Sequence, residues 1–327
     1  MSISLADASP TTLPAGTAPL AAPMEVPAII LWICVGWAVA GILAAVYFGA
    51  FKRKSIVGPE RLAPTESAWD LLIVFFLVYC GGMLAGSIVM GLKQRLSEPQ
   101  MAMLSAGIDL VSFFAVILLL RRIRPGAVRL LGLDPARITN GLAAGVTTVF
   151  ALYPLIQLTG DGVGKLIDHF HFTQPKPHEL LQLISSTQDR AMAIFAVVLA
   201  CVIAPLAEEL LYRGLLQTML VRLYSWVAGH SAASVMGGHI QSTLPLEYQS
   251  ALMPITSSSA GVRWAAVLTT SAIFAAVHVE PAFLAPLFVL ALGLGYVYER
   301  TGNLWVTITA HALFNTLQIL LYLAAGR

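Results

Sequence analysis

Three charged residues stand close together in the otherwise apolar stretch "PLAEELLYRG" at 205–214. Glu209 and Arg213 are four residues apart with the glutamate first, which is the favoured order for an ion pair along a helix. Adjacent helical residues point about 100° apart, so Glu208 faces another direction and is free to meet a polar cavity. The spacing therefore predicts one glutamate that neutralises the arginine and one that is available for chemistry. In an alternative interpretation, the helix ends here and all three charges lie among lipid headgroups.

Two stretches that contain histidine, "FAAVH" at 274–278 and "HALFN" at 311–315, place further polar groups in apolar segments. Residues four apart stack on successive helical turns, so Phe274 shares a face with His278, and His311 shares one with Asn315. A lone histidine in an apolar helix usually makes one structural hydrogen bond. Two histidines and an asparagine near a glutamate helix instead indicate a functional polar site, because ionisable groups at membrane depth are costly. Such groups can transfer protons and stabilise an oxyanion.

One further acid, Asp109 in "AGIDLVSFF", also lies in an apolar segment. It fits either a structural hydrogen bond or the wall of the same cavity. We interpret Asp109 as a structural hydrogen-bond partner.

The composition predicts that these polar groups lie within a membrane. Of the 327 residues, 57% are hydrophobic and 11% are charged, and the mean hydropathy is +0.79. An ordinary soluble domain is about a quarter charged, so this chain has more apolar surface than a soluble core can bury. The expected fold class is an all-α membrane protein whose helices contact the bilayer. A net charge of only +2 does not favour a nucleic-acid partner.

We predict about eight membrane helices, because a crossing needs about 20 mainly apolar residues. The fifth candidate is too long for one straight crossing. The candidate spans are 27–51, 70–92, 101–120, 141–159, 191–223, 262–279, 281–298 and 303–324.

The spans divide into N-terminal membrane helices at 27–159 and a C-terminal helical bundle at 191–324 that carries the polar stretches. A tail at 1–26, rich in Pro, Ala, Thr and Ser, is predicted to be disordered. Residues 160–190 are predicted to form an outer loop, and 225–261 an inner loop without an assigned role.

Basic residues predict the orientation of the chain. The stretches "KRK" at 52–54 and "RRIR" at 121–124 follow the first and third spans. Since Lys and Arg concentrate in cytoplasmic loops, the N-terminus is expected to lie outside.

Helical rise allows the depth of each polar group to be estimated. When each helix is anchored at its inner end, for example at Arg263, three groups reach one level at about 20–22 Å: Glu208, His278 and Asn315. His311 then lies about 13 Å deep, some 8 Å below Glu208. The estimate predicts that these side chains can meet, although another register of the fifth span would separate Glu208 from His278.

The three stretches resemble a known family. In order and spacing, "EELLYRG", "FAAVH" and "HALFN" match the EExxxR, FxxxH and HxxxN/D motifs of the CPBP family. The flanking "YERTGNLWVTITAHALFN" is also similar to the family's last motif region. This family contains the type II CAAX prenyl endopeptidases and their bacterial relatives, including proteins linked to bacteriocin self-immunity. The resemblance covers roughly residues 190–323 and implies a multi-pass protein of the bacterial inner membrane.

The resemblance implies catalytic roles for four residues. Glu208 and His278 would activate a water, His311 and Asn315 would stabilise the oxyanion, and the Glu209 ion pair would support the site. The expected activity is hydrolysis of a peptide bond in a peptide or protein with a membrane-proximal segment. The sequence identifies neither the substrate nor whether it is prenylated.

A non-hydrolytic membrane protein, either an immunity or scaffold factor or a transporter, is the alternative function. A transporter is expected to show paired repeats with broken helices in both halves. Here the polar membrane residues cluster in the C-terminal half, which favours the enzyme.

Zinc is the one cofactor that the residue types suggest. Glu208, His278 and His311 resemble a set of two histidines and one glutamate with an open position for water. The histidines stand on different helices and form no HExxH pair, and the estimated depths separate His311 from Glu208. The sequence therefore favours a mechanism without a cofactor.

Overall fold

The computed structural model describes residues 68–92, 94–123, 126–172, 179–235, 260–278 and 280–325. Within these ranges the regular elements are all helical, which confirms the predicted all-α membrane class. The helices are α1 Ala68–Gly91, α2 Glu98–Ile123, α3 Ala127–Leu130, α4 Ile138–His169, α5 Glu179–Ser186, α6 Arg190–Val198, α7 Ala204–Glu209, α8 Thr218–Val235, α9 Ala260–Ala276, α10 Pro281–Thr301 and α11 Leu304–Ala324.

Six helical stretches in the described part of the chain are long and apolar enough to cross a membrane. They are Asp70–Gly91, Pro99–Ile123, Pro135–His169, Arg190–Ala228, Pro281–Thr301 and Leu304–Ala324. Each coincides with a predicted span. The predicted span at 262–279 forms α9, a 17-residue helix that falls short of the about 20 residues needed for a full crossing. The predicted span at 27–51 lies outside the described residues, so the number eight is not confirmed.

Residues 190–235 form one continuous helical element in which α-helix alternates with π-helix. α6 leads into a first π segment, Leu199–Ile203, and α7 leads into a second, Leu210–Gln217. Pro205, at the start of α7, has no N–H and cannot continue a regular hydrogen-bond ladder. π segments occur frequently at functional sites. Here they flank the two adjacent glutamates of "EELLYR".

Close packing between α4 and α11 sets the position of α11. Gly141 and Gly145 of α4 are buried against this helix. A β-carbon at Gly141 would overlap Trp305, and one at Gly145 would lie 2.5 Å from Cβ of Thr309. Small residues at this spacing let two helices approach closely. α10 packs against both α4 and α9, so the C-terminal helices form one bundle.

The predicted outer loop at 160–190 needs correction, because much of it is helical. α4 continues to His169, and Glu179–Ser186 forms α5. Asp161 and Lys165 reduce the hydropathy of this stretch, but their i,i+4 spacing is compatible with a helix. The lower hydropathy of this stretch led to the prediction of a loop, although the helix continues through it.

Two other predicted segments lie mainly outside the described residues. These are the tail at 1–26 and residues 236–259 of the predicted inner loop. α8 occupies the start of that loop, since it continues to Val235.

Candidate active site

Glu209 is the centre of a buried charged cluster. Its Oε1 accepts hydrogen bonds from Arg213 Nη1 at 2.7 Å and from His311 Nδ1 at 2.8 Å. The side chains of Glu209 and Arg213 are fully buried. The ion pair expected from the i,i+4 spacing is therefore present. A histidine from α11 joins it, so the cluster connects α7, the second π segment and α11.

Glu208 is the more accessible of the two glutamates. Its side chain is 31% exposed, and its Oε2 lies 3.8 Å from Nε2 of His311. Its carboxylate forms no hydrogen bond with any residue that the structure describes. His311 thus lies between the two glutamates, with Nδ1 toward Glu209 and Nε2 toward Glu208.

The side chains of Glu208 and His311 meet, as predicted, although the depth estimate placed them at different levels. The estimate places His311 about 8 Å below Glu208, whereas the nearest charged atoms are 3.8 Å apart. The second π segment, Leu210–Gln217, winds more residues into each turn than the regular α-helix that the estimate assumed.

Both histidines have Nδ1 engaged and Nε2 available. Nδ1–H of His278 donates to the carbonyl of Phe274 at 2.7 Å, and Nδ1 of His311 is bonded to Glu209. A hydrogen bond at one ring nitrogen determines which of the two nitrogens carries the proton. In the neutral rings, the lone pair is therefore on Nε2 of each histidine.

The histidine, arginine and tyrosine side chains of the site pack around the ring of Phe274. It is fully buried, and its centroid lies 4.8 Å from the ring of His278 and 5.9 Å from that of His311. Cζ of Arg213 lies over the same ring at 4.6 Å, and Tyr212 meets it edge-on at 5.2 Å. The "FAAVH" stretch thus supplies both a histidine and the surface that orients its neighbours.

Asn315 has a structural partner. Its Nδ2 donates to the carbonyl of Ala200 at 2.7 Å. In this π segment Ala204 N–H donates five residues back, to Leu199, so the carbonyl of Ala200 would pair with the N–H of residue 205. That residue is Pro205, which has no N–H, and the amide of Asn315 takes its place. Only the second N–H of this amide is left for a substrate.

Tyr212 is a member of the site that the sequence reasoning missed. It is one turn after Glu208 and interacts with it electrostatically, as it does with Tyr79 of α1. The side chain is only 4% exposed, yet its hydroxyl forms no hydrogen bond within the described ranges. Its i,i+4 spacing from Glu208 in "EELLYR" was the available signal.

Asp109 also belongs near the site. The interpretation as a structural hydrogen-bond partner is wrong for the described part of the chain, where Asp109 forms no hydrogen bond. Instead α2 packs against α7, and Asp109 lies within electrostatic range of Glu208. The N-terminal helices therefore contribute to the surroundings of the reactive glutamate.

The possible zinc set of Glu208, His278 and His311 is not assembled in the described part of the structure. Glu208 and His311 lie close together, but His278 does not complete a set with them. No three His, Cys, Asp or Glu side chains of the described residues are placed to share one ion. A metalloprotease assignment is therefore not supported by the placement of the donors.

A second buried polar network lies one turn after Arg213 in the helical element formed by residues 190–235. Its members are Arg263, Glu299 and Gln217, and all three are fully buried. Nη1 of Arg263 pairs with Oε2 of Glu299 at 2.6 Å. The third member, Gln217, donates from Nε2 to Glu299 Oε1 at 2.8 Å and to the carbonyl of Gly295 at 3.0 Å. Because Glu299 neutralises its charge, Arg263 can be buried inside the protein. The network fixes α9 and α10 against the second π segment.

Comparison with known protein families gives a match to the region that contains the candidate site. The model of the family "Type II CAAX prenyl endopeptidase Rce1-like" matches residues 190–317. No curated protein and no solved structure matches the chain. The matched region contains all three motif stretches, from the central helix to α11. Residues 190–317 are thus similar to the Rce1-like type II CAAX prenyl endopeptidase family, which is consistent with the CPBP resemblance.

Proposed function

We propose that this chain is an intramembrane endopeptidase that hydrolyses a peptide bond with a water activated by Glu208 and His278. The observation that carries the proposal is the different placement of the two adjacent glutamates. Glu209 is fully buried in an ion pair, whereas Glu208 is partly exposed and 3.8 Å from Nε2 of His311. A carboxylate without a hydrogen-bond partner, beside an oriented imidazole, suits a general base.

The proposed reaction has two proton transfers. Glu208 accepts a proton as the water oxygen bonds to the scissile carbonyl carbon, and Nε2 of His278 orients that water. The C–N bond then breaks, and the proton held by Glu208 passes to the leaving amine. Each step uses protein side chains and the attacking water, without a metal ion.

Three groups are proposed to stabilise the oxyanion. His311 would donate from Nε2 when its ring carries both protons, while its Nδ1–H stays on Glu209. The second amide N–H of Asn315 is another donor, and its hydrogen bond to Ala200 holds the amide plane in place. The hydroxyl of Tyr212, which makes no hydrogen bond with the described residues, is the third.

Substitution of Tyr212 by phenylalanine is expected to lower kcat on the order of 100-fold, because removal of one oxyanion donor typically has such an effect. Thermal stability should hold, since the ring and its contact with Phe274 remain. Tyr298→Phe is the matched control: its hydroxyl donates to the carbonyl of Leu131 at 2.8 Å in a buried position. The control should lose stability and keep its kcat. Equal kcat values for Tyr212→Phe and wild type would remove Tyr212 from the mechanism.

A chelator is expected to leave the activity unchanged. The proposed mechanism uses no metal, so protein purified with less than one equivalent of zinc should cleave at the same rate in a strong chelator. Metal analysis and cleavage rates on the same sample check this. The metal-free mechanism is contradicted if stoichiometric zinc and activity are lost together and both return when zinc is added.

The substrate is proposed to be a peptide or protein with a membrane-proximal segment, because the site lies among helices long and apolar enough to cross a bilayer. The family match supports a CAAX-protease-like activity. The basic residues after the first and third predicted spans support an orientation with the N-terminus outside.

A peptide library in proteoliposomes tests the proposed function. The purified full chain should release fragments with new termini at a peptide bond close to the membrane. A library that stays intact, with correctly folded and inserted protein, would instead favour the immunity or scaffold alternative.

A further inference from the structure

A basic cavity lies away from the candidate active site, at one end of α2. Its volume is about 340 Å³, which is at the lower end of the about 300–1,000 Å³ typical of small-ligand sites. Two arginines line it together with glycine, proline and apolar side chains. The lining residues are Arg121, Gly126, Val128, Arg129, Leu133 and Pro135.

Arg121 and Arg129 differ from Arg137, which follows them in the chain. Arg137 donates to the carbonyl of Thr301 at 2.8 Å and to that of Gly302 at 3.2 Å, so its role is structural. Arg121 and Arg129 form no hydrogen bond or ion pair with any described residue. Two arginines thus line one cavity, and neither guanidinium group has a partner among the described residues.

The wall that carries Arg129 is held rigidly. The hydroxyl of Tyr298 donates to the carbonyl of Leu131 at 2.8 Å, and the N–H of Leu304 donates to the carbonyl of Gly132 at 3.1 Å. Gly132 has a φ of 102° and approaches residues 302–304 too closely for a β-carbon. The loop therefore presents Arg129 from a fixed position.

The cavity lies where a lipid headgroup is expected. Arg121 is in the last turn of α2, at the end of the span Pro99–Ile123. The preceding turns expose large apolar side chains, with Phe114 56% and Leu118 60% exposed. Arginines that follow a lipid-facing surface in this way lie at the level of the phosphates.

We propose that this cavity binds the phosphate of an anionic phospholipid, with the guanidinium groups of Arg121 and Arg129 as donors. Guanidinium groups bind phosphate oxygens in pairs of hydrogen bonds. The apolar side chains of Val128 and Leu133 fit the glycerol ester next to the phosphate. This site is independent of the proposed peptidase activity.

Lipid titration tests the proposal directly. The full chain in detergent is titrated with phosphatidylglycerol or phosphatidylcholine, and bound lipid is counted by native mass spectrometry. Phosphatidylglycerol should bind more tightly, and the Arg121→Gln/Arg129→Gln double variant should bind it roughly 30-fold more weakly. Arg122→Gln is the matched control, because Arg122 is in the same turn and does not line the cavity. This control should bind like wild type.

Two results would overturn the proposal. One is equal binding of the two lipids by wild type. The other is an equal loss in Arg122→Gln, which would indicate a general surface charge effect. Inorganic phosphate is the third arm of the experiment: it should not displace the lipid at millimolar concentration, and displacement would assign the cavity to soluble phosphate instead.

Discussion

Replacing Glu208 with glutamine is expected to lower kcat by at least about 1,000-fold, within the range of effects reported for general acid–base groups. Glutamine keeps the shape of the side chain but cannot accept the proton of the attacking water. The fold should be preserved, because Glu208 is partly exposed and forms no hydrogen bond with the described residues. Cleavage rates in proteoliposomes and thermal unfolding in the same detergent check both parts.

Glu208→Asp provides a matched control for this variant. It keeps the carboxylate but shortens the side chain, so it should retain more activity than Glu208→Gln. If Glu208→Gln cleaves at the rate of wild type, the general-base role of Glu208 is wrong.

Replacing Glu209 with glutamine is expected to destabilise the protein by about 3–5 kcal/mol, which is typical when one partner of a buried ion pair is removed. The reason is that Arg213 stays fully buried and keeps its charge without a carboxylate. His311 also loses the acceptor of its Nδ1–H. Thermal unfolding and expression yield should both fall.

A double variant separates charge from packing. In Glu209→Gln/Arg213→Met both charges are gone, so part of the lost stability should return. If Glu208→Gln and Glu209→Gln have the same effect on stability, the division between a reactive and a structural glutamate is contradicted.

Local helical spacing was sufficient to predict the Glu209–Arg213 pair, because both residues are on one helical element four residues apart. The same rule pointed to "FAAVH" and "HALFN" as polar faces on separate helices. It did not show that His311 would contact both glutamates. That contact depends on how closely α4, through Gly141 and Gly145, lets α11 approach the bundle.

The features that the sequence did not reveal depend on partners distant in the chain. Arg263 was used only to set the depth of its helix, and its ion pair with Glu299, 36 residues later, was not predicted. Asn315 was assigned only a role in catalysis, yet it also replaces the N–H that Pro205 lacks. Neither partner can be identified from a local pattern, because each requires the packing of two helices.

The π segments alter the depths that are counted along an ideal α-helix. Leu199–Ile203 and Leu210–Gln217 change both the rise and the direction of side chains around the two glutamates. Pro205 gave a warning of irregularity, but sequence patterns do not distinguish a kink from a π segment.

The central claim is that the groups around Phe274 hydrolyse a peptide bond inside the membrane. Its most direct test is cleavage of one membrane-anchored peptide by purified wild-type protein in proteoliposomes, with the new termini identified by mass spectrometry. The account predicts a single cut close to the membrane by wild type and none by Glu208→Gln at equal amounts of folded protein. An uncleaved peptide with wild type, across the full library of anchored sequences, or the same cut by Glu208→Gln, would contradict it.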